Sequence, residues 1–195
     1  MADFVEKTKK IAQQVSERVS AKFTEKLIDA ATLVQTLKSV ENYSPDMRLK
    51  LFGLTQVPLL FMVQPKVVKI DANGCEVRIN LNFVTKNHLS SMYFGAQSMG
   101  ADIVVGLLAF EMAREHTGVK VVPIFKDFNA TFLKRAEGDL LFVCSAGAQV
   151  ARMVDVAVNT GERVTEQVSA EARLVETGEV VSRFTLGLSV KAKKD

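Results

Sequence analysis

Asp102 is the only charged residue in the long apolar stretch 95–110. Small residues fill the first half of that stretch and large aliphatic ones the second. A stretch this apolar reads as a buried helix, and a lone carboxylate inside one has to be accounted for. Burying an ionised carboxylate without a partner is costly, so its pKa rises or it finds a hydrogen-bond donor. A carboxylate with a raised pKa is also what general-base chemistry near neutral pH requires. A buried Asp satisfied by a neighbouring donor would serve structure alone. Both readings stand on this segment. The chain shows no Gly-rich phosphate loop, zinc spacing or serine-hydrolase elbow, so neither a metal nor a bound cofactor is expected.

The elements that must position these residues follow from hydrophobic period. Up to about Gly53 the chain reads as helical, with Phe4, Ile11, Val15, Val19 and Phe23 recurring at roughly helical spacing. Ser44 and Pro45 look like a helix cap and first position, opening a short helix over 46–52. From Lys66 the period changes to two. Residues 66–70 and 75–83 flank a turn at 71–74, where Asn73-Gly74 is expected to supply positive φ angles. Val77, Ile79, Leu81 and Phe83 alternate with Glu76, Arg78, Asn80 and Asn82, as in an antiparallel sheet with one buried side. The apolar helix follows over about 93–115, stopped by Thr117 and Gly118. Strands are expected at 121–132, 140–145, 164–175 and 180–190, with a short helix over 148–158. A helix this apolar needs cover nearly all round. A curved antiparallel sheet wrapping it would give that cover, and Gly95, Gly100 and Gly106 would let backbone approach closely.

Composition narrows the function classes. A chain of 195 residues, 48% hydrophobic, supports one domain with a sizeable core, or one domain with an extension. A net charge of +3, with acidic and basic residues mixed, is too small an excess to argue for nucleic acid. The lysines at 7, 9 and 10 and the basic tail at 191–194 read as solvated surface. Cys75 and Cys144 have no metal-type spacing, and two thiols make no disulfide framework. The N-terminus lacks the apolar core of a signal peptide. No run reaches the roughly 18 apolar residues that suggest a membrane span. A soluble, cytoplasmic protein is expected.

The segment 87–102 carries a more specific pattern. Asn87 is followed after five residues by Tyr93-Phe94-Gly95, and after six more by Asp102. This resembles the hotdog-fold acyl-CoA thioesterases of the phenylacetate-degradation (PaaI) type, whose pattern is Asn, five residues, His-Gly-Gly, six residues, then Asp or Glu. The Asn, the second Gly and the acid match; Tyr93 and Phe94 stand where the family has His and Gly. The resemblance implies an α+β hotdog fold, a curved antiparallel sheet around a long central helix. By element order the domain would occupy 61–195, with 1–60 as an N-terminal helical extension. It further implies that Asp102 acts as general base or nucleophile, that Asn87 positions water or substrate, and that Gly95 offers an oxyanion donor.

The implied substrate is an acyl-CoA or related thioester. The implied assembly is a homodimer, able to pair further into a tetramer, with the acid across the interface from the other site residues. Tyr93 cannot replace imidazole as an acid or base, since its reference pKa is about 10. Its hydroxyl can still bond a carbonyl or the coenzyme. A non-catalytic acyl-binding protein on the same fold is therefore the rival expectation. His88 reads as a loop residue and His116 as a favourable charge near the helix C-terminus. The N-terminal helices are expected to pack over the sheet or extend the dimer. Deleting residues 1–40 should then expose apolar surface and lower solubility. A soluble, monodisperse truncation of unchanged melting temperature on size exclusion and thermal denaturation would contradict this.

Overall fold

The computed structural model describes residues 43–114, 116 and 119–194. The helices expected before Tyr43, and the stop at Thr117 and Gly118, lie outside the described residues. Helix α1 spans Pro45–Thr55 and begins as its sequence suggests. Pro45 opens the first turn, and Ser44 Oγ accepts from the Met47 amide at 3.3 Å. The helix continues past Gly53, where helix α2, Pro58–Met62, folds back against it. A Cβ on Gly53 would stand 3.0 Å from the Phe61 amide nitrogen, so the missing side chain sets that close approach.

Strands β1, Lys66–Asp71, and β2, Gly74–Ile79, form the expected hairpin. Its turn differs from expectation. Neither Asn73 nor Gly74 has a positive φ. The Asp71 carboxylate shapes the turn instead, accepting from the Asn73 and Gly74 amides at 2.8 and 3.2 Å. Gly74 is needed for space: a Cβ there would meet the Cys144 carbonyl oxygen at 2.2 Å. The second strand also ends earlier than its alternation suggests. Past Ile79 the chain turns away, and Phe83 is 87% exposed rather than in the core. The Asn82 side chain accepts from the Val84 and Thr85 amides, and the Thr85 hydroxyl bonds Asn80 and Asn82. These local bonds outcompete the ladder.

Helix α3, Phe94–Ala113, is followed by β3, Val119–Phe132; β4, Leu140–Cys144; helix α4, Gly147–Thr160; β5, Arg163–Leu174; and β6, Val180–Lys194. Six strands form one sheet in the order β1-β2-β4-β5-β6-β3, antiparallel at every pairing. Helix α3 touches β2 to β6 and α4, which is the wrapped arrangement its composition demands. It is long and apolar enough, by length and composition, to cross a membrane, but over half of that stretch is buried inside the fold. Ala101, Val104, Val105, Leu108 and Ala109 are its fully covered positions. At Gly100 a Cβ would lie 2.4 Å from the Phe142 ring, so an aromatic of β4 packs directly on the helix backbone.

Helix α4 buries Val150, Met153, Val154 and Ala157 along one stripe and ends at Gly161, whose φ of 71° makes a left-handed cap. Its first residue docks on the β1–β2 turn, with the Gly147 amide donating to the Asn73 carbonyl at 3.1 Å. A Cβ on Gly147 would sit 2.0 Å from the Ala72 carbonyl oxygen, which is backbone and cannot swing aside. Gly147→Ala is expected to destabilise the fold by about 1–3 kcal/mol, the usual cost of overpacking. Urea denaturation at neutral pH measures it, and an unchanged midpoint would show that the turn gives way freely.

Candidate active site

Asp102 sits on the third turn of α3 and is half-buried. Among the described residues it has no hydrogen-bond or ion-pair partner. The expectation of a structural Asp held by a neighbouring donor is therefore not met. Burial pushes its carboxyl above the ordinary carboxylate value, with no nearby charge to offset that. It opens into a cavity of about 430 Å³ between α3, α1, α2 and β3. The walls are apolar: Leu49, Phe52, Leu60, Ile103, Leu107, Phe110 and Phe125 among them. The polar groups in the lining besides Asp102 are Arg48 and Glu111, paired at 3.0 Å.

The helix start holds the other candidates. Tyr93 is the N-cap and supplies no side-chain cap, and the first backbone bond of the helix runs from the Gln97 amide to the Tyr93 carbonyl at 3.1 Å. The amides of Phe94, Gly95 and Ala96 thus precede the intrahelical ladder. Access to Gly95 is shaped by Tyr93, whose ring lies 2.5 Å from where a Gly95 Cβ would be. Tyr93 and Phe94 are 47% and 57% exposed, with ring centroids 4.7 Å apart.

Asn87 organises the preceding loop. Its Oδ1 accepts from the Leu89 and Ser91 amides at 2.8 and 3.2 Å, and its Nδ2 donates to Ser91 Oγ at 3.1 Å. A second Nδ2 hydrogen remains for a water or substrate.

Gly95 and Asp102 lie on one face of α3, seven residues apart. At about 1.5 Å per residue that separation is about 10 Å. A single thioester carbon cannot meet both groups of one chain at bonding distance.

Two elements of the site were not read from the sequence. Arg48 reaches Glu111 across 63 positions, and Arg114 bonds the same carboxylate. Gln97, buried on the first turn of α3, donates to the Met92 carbonyl at 3.0 Å and accepts from Ser182 Oγ at 2.6 Å. The pair pins the helix start to the loop before it and to β6. A buried Gln beside an apolar run was the only available signal.

The remaining titratable candidates fall away. His88 is an exposed loop residue, and His116 Nε2 lies 2.9 Å from Asp155 Oδ1. Cys75 and Cys144 are buried cross-strand neighbours, and burial, reinforced by Cys144, pushes the Cys75 thiol up to about 12. Such a thiol is no nucleophile at neutral pH.

An antiparallel sheet wrapped around one long apolar helix defines the hotdog fold. Solved structures share this architecture at low identity. A Pseudomonas aeruginosa protein of unknown function, named "Probable Thioesterase", is 17% identical with a TM-score of 0.62, over 77% of this chain and 97% of that one. A Haemophilus influenzae thioesterase is 13% identical with a TM-score of 0.54, over 77% and 92%. A Chlorobaculum tepidum protein of unknown function is 12% identical with a TM-score of 0.65, over 75% and 93%. Comparison with curated proteins finds no match. The chain belongs to the family of the domain of unknown function DUF4442, whose model matches residues 47–190.

The raised pKa of Asp102 sets a stability signature. The folded chain binds the proton more tightly than the unfolded one, so this group's contribution is fully present below the ordinary Asp pKa. It is lost as pH rises through the folded value. Asp102→Asn, which removes the ionisation, is expected to be more stable than wild type at pH 7. The gap should close as pH falls below the ordinary carboxylate range. Paired thermal melts across pH check it; an Asn variant less stable at pH 7 would mean that the ionised carboxylate has a partner in the full chain.

Proposed function

We propose that this protein hydrolyses an acyl thioester, with acyl-CoA as the substrate class and Asp102 as the general base. The observation that carries the reading is the unpartnered Asp102 carboxylate, its pKa raised by burial, opening into an apolar cavity. In the proposed reaction Asp102 takes a proton from water as the water oxygen bonds the thioester carbon. The carbonyl oxygen gains the negative charge, the C–S bond then breaks as the carbonyl re-forms, and the thiolate leaves with the proton that Asp102 holds. The free amides at the start of α3, Gly95 among them, and the positive end of the helix dipole favour the transient oxyanion. In this reading Tyr93 Oη bonds the carbonyl or the coenzyme, and Asn87 Nδ2 holds water or substrate.

Because Asp102 stands about 10 Å from Gly95 on its own helix, the reading takes the two from different chains of a homodimer. The exposed edge strand β3 supports such a pairing, as do the exposed aromatics Phe94, Phe128 and Phe132 beside it. An unpaired edge and a contiguous apolar patch are what a second copy covers.

One observation favours a second reading, a non-catalytic acyl-binding protein. The Tyr93 ring lies against Gly95, where the substrate carbonyl would approach.

The experiment is CoA release from short, medium, long-chain and aromatic acyl-CoAs, with wild type and Asp102→Asn in parallel. Turnover is expected to fall about a hundredfold or more in the variant, the order that removing a general base produces. No turnover on any thioester, or turnover indifferent to Asp102, would replace this reading with the binding protein.

A further inference from the structure

The cavity beside α3 has a length as well as a chemistry. Asp102 and Glu111 both line it, nine residues apart on one helix. At about 1.5 Å per residue their backbones stand about 13 Å apart along the helix axis, and Arg48, from α1, reaches Glu111 at the far level. Between them the walls are hydrocarbon: Ile103, Gly106 and Leu107 on α3, Leu49 and Phe52 on α1, and Phe125 on β3. Past Phe110 the Arg48–Glu111 pair bounds the cavity, with side chains only 15% and 25% exposed. Arg48 Nη2 donates to Glu111 at 3.0 Å, while its Nε is buried without an acceptor among the described residues.

Gly106 lies between the two ends. At Gly100, one turn and a half earlier, an added Cβ would strike Phe142. At Gly106 it would meet only Phe125 ring carbons at 3.8 Å, an ordinary contact. No neighbour needs the missing side chain of Gly106; its absence is open width in the cavity. Polar groups at both ends and none between suit a linear apolar occupant with its reactive group at one end.

We propose that this cavity is a chain-length ruler for a straight acyl group. It takes the alkyl part of a medium-chain acyl thioester from its carbonyl at Asp102 to a stop at the Arg48–Glu111 pair. With C–C bonds of about 1.5 Å, an extended chain of roughly ten carbons fills the span. Gly106 sets the width along the way and Phe110 walls the far part. Placing the carbonyl at Asp102 rests on the thioesterase reading; the ruler itself rests on the cavity.

The test is isothermal titration of the full chain with saturated straight-chain acyl-CoAs from butanoyl to hexadecanoyl. An Asp102→Asn background keeps each thioester intact. Affinity is expected to rise about fourfold per methylene, equivalent to about 0.8 kcal/mol each, and to stop rising near ten carbons. Gly106→Leu should move that break several carbons shorter. Phe110→Ala, at a 43%-exposed position, should move it longer.

Affinity independent of chain length, or a break at one length in all three proteins, overturns the ruler. A shifting break with no turnover in the wild-type chain keeps the ruler and discards the thioesterase. Turnover that depends on Asp102, with chain-length preference indifferent to Gly106→Leu, does the reverse.

Discussion

Covering α3 is the constraint from which the rest of this structure follows. Twenty residues with almost no polar face cannot stand in water, so the chain supplies walls on every side. The sheet takes one side, and takes it closely, because Gly100 lets the Phe142 ring rest on helix backbone. Helix α4 takes another, anchored in turn on the hairpin by Gly147. The stripe carrying Asp102, Gly106 and Phe110 is left over. Helices α1 and α2 cover it at a stand-off, held by the Arg48–Glu111 pair and by Asp46 accepting from the Val67 amide. The cavity is the gap between a wall that must be there and a helix face that cannot be packed flush.

Within that gap two carboxylates on one helix have opposite fates. Glu111 is met by Arg48 and Arg114, and two guanidinium groups hold it as structure. Asp102, two and a half turns earlier, is met by no partner among the described residues and is pushed toward its neutral form by burial. It lies beyond the first turn, where the helix dipole fades. An acid left unpaired in an apolar wall is a standing cost to the fold.

The sequence made legible whatever depends on near neighbours. Periods of two and 3.6 located the hairpin, α3, α4 and the last two strands, because each such element buries one face of its own residues. Asp102 stood out because one charge in an apolar run is visible without coordinates. The misreadings have local and tertiary causes. Phe83 looked like the end of a strand, but Asn82 and Thr85 spend their side chains on a turn, the Thr85 hydroxyl donating to the Asn80 carbonyl. Asn73-Gly74 looked like a positive-φ turn, but Gly74 answers to the Cys144 carbonyl of another strand. Arg48 and Gln97 were invisible because their partners lie 63 and 85 positions away, and no period links them.

The same helix that presents the acid also fixes its distance from the oxyanion donors. No rotamer change brings Gly95 to Asp102, since one is a backbone amide and the other hangs from the same rigid rod two turns on. Within one chain, no single atom can touch both groups at that distance. Tyr93 sharpens the alternative. Its ring already lies against Gly95, so a carbonyl reaching that amide has to slide along the ring or displace it. Tyr93 is half-exposed, its ring tilted against Phe94, and no described residue bonds its hydroxyl. The relation between Tyr93 and Gly95 therefore separates an enzyme from a binding protein on this fold more directly than the acid does. Either function can use the cavity, but only one needs the helix amides uncovered.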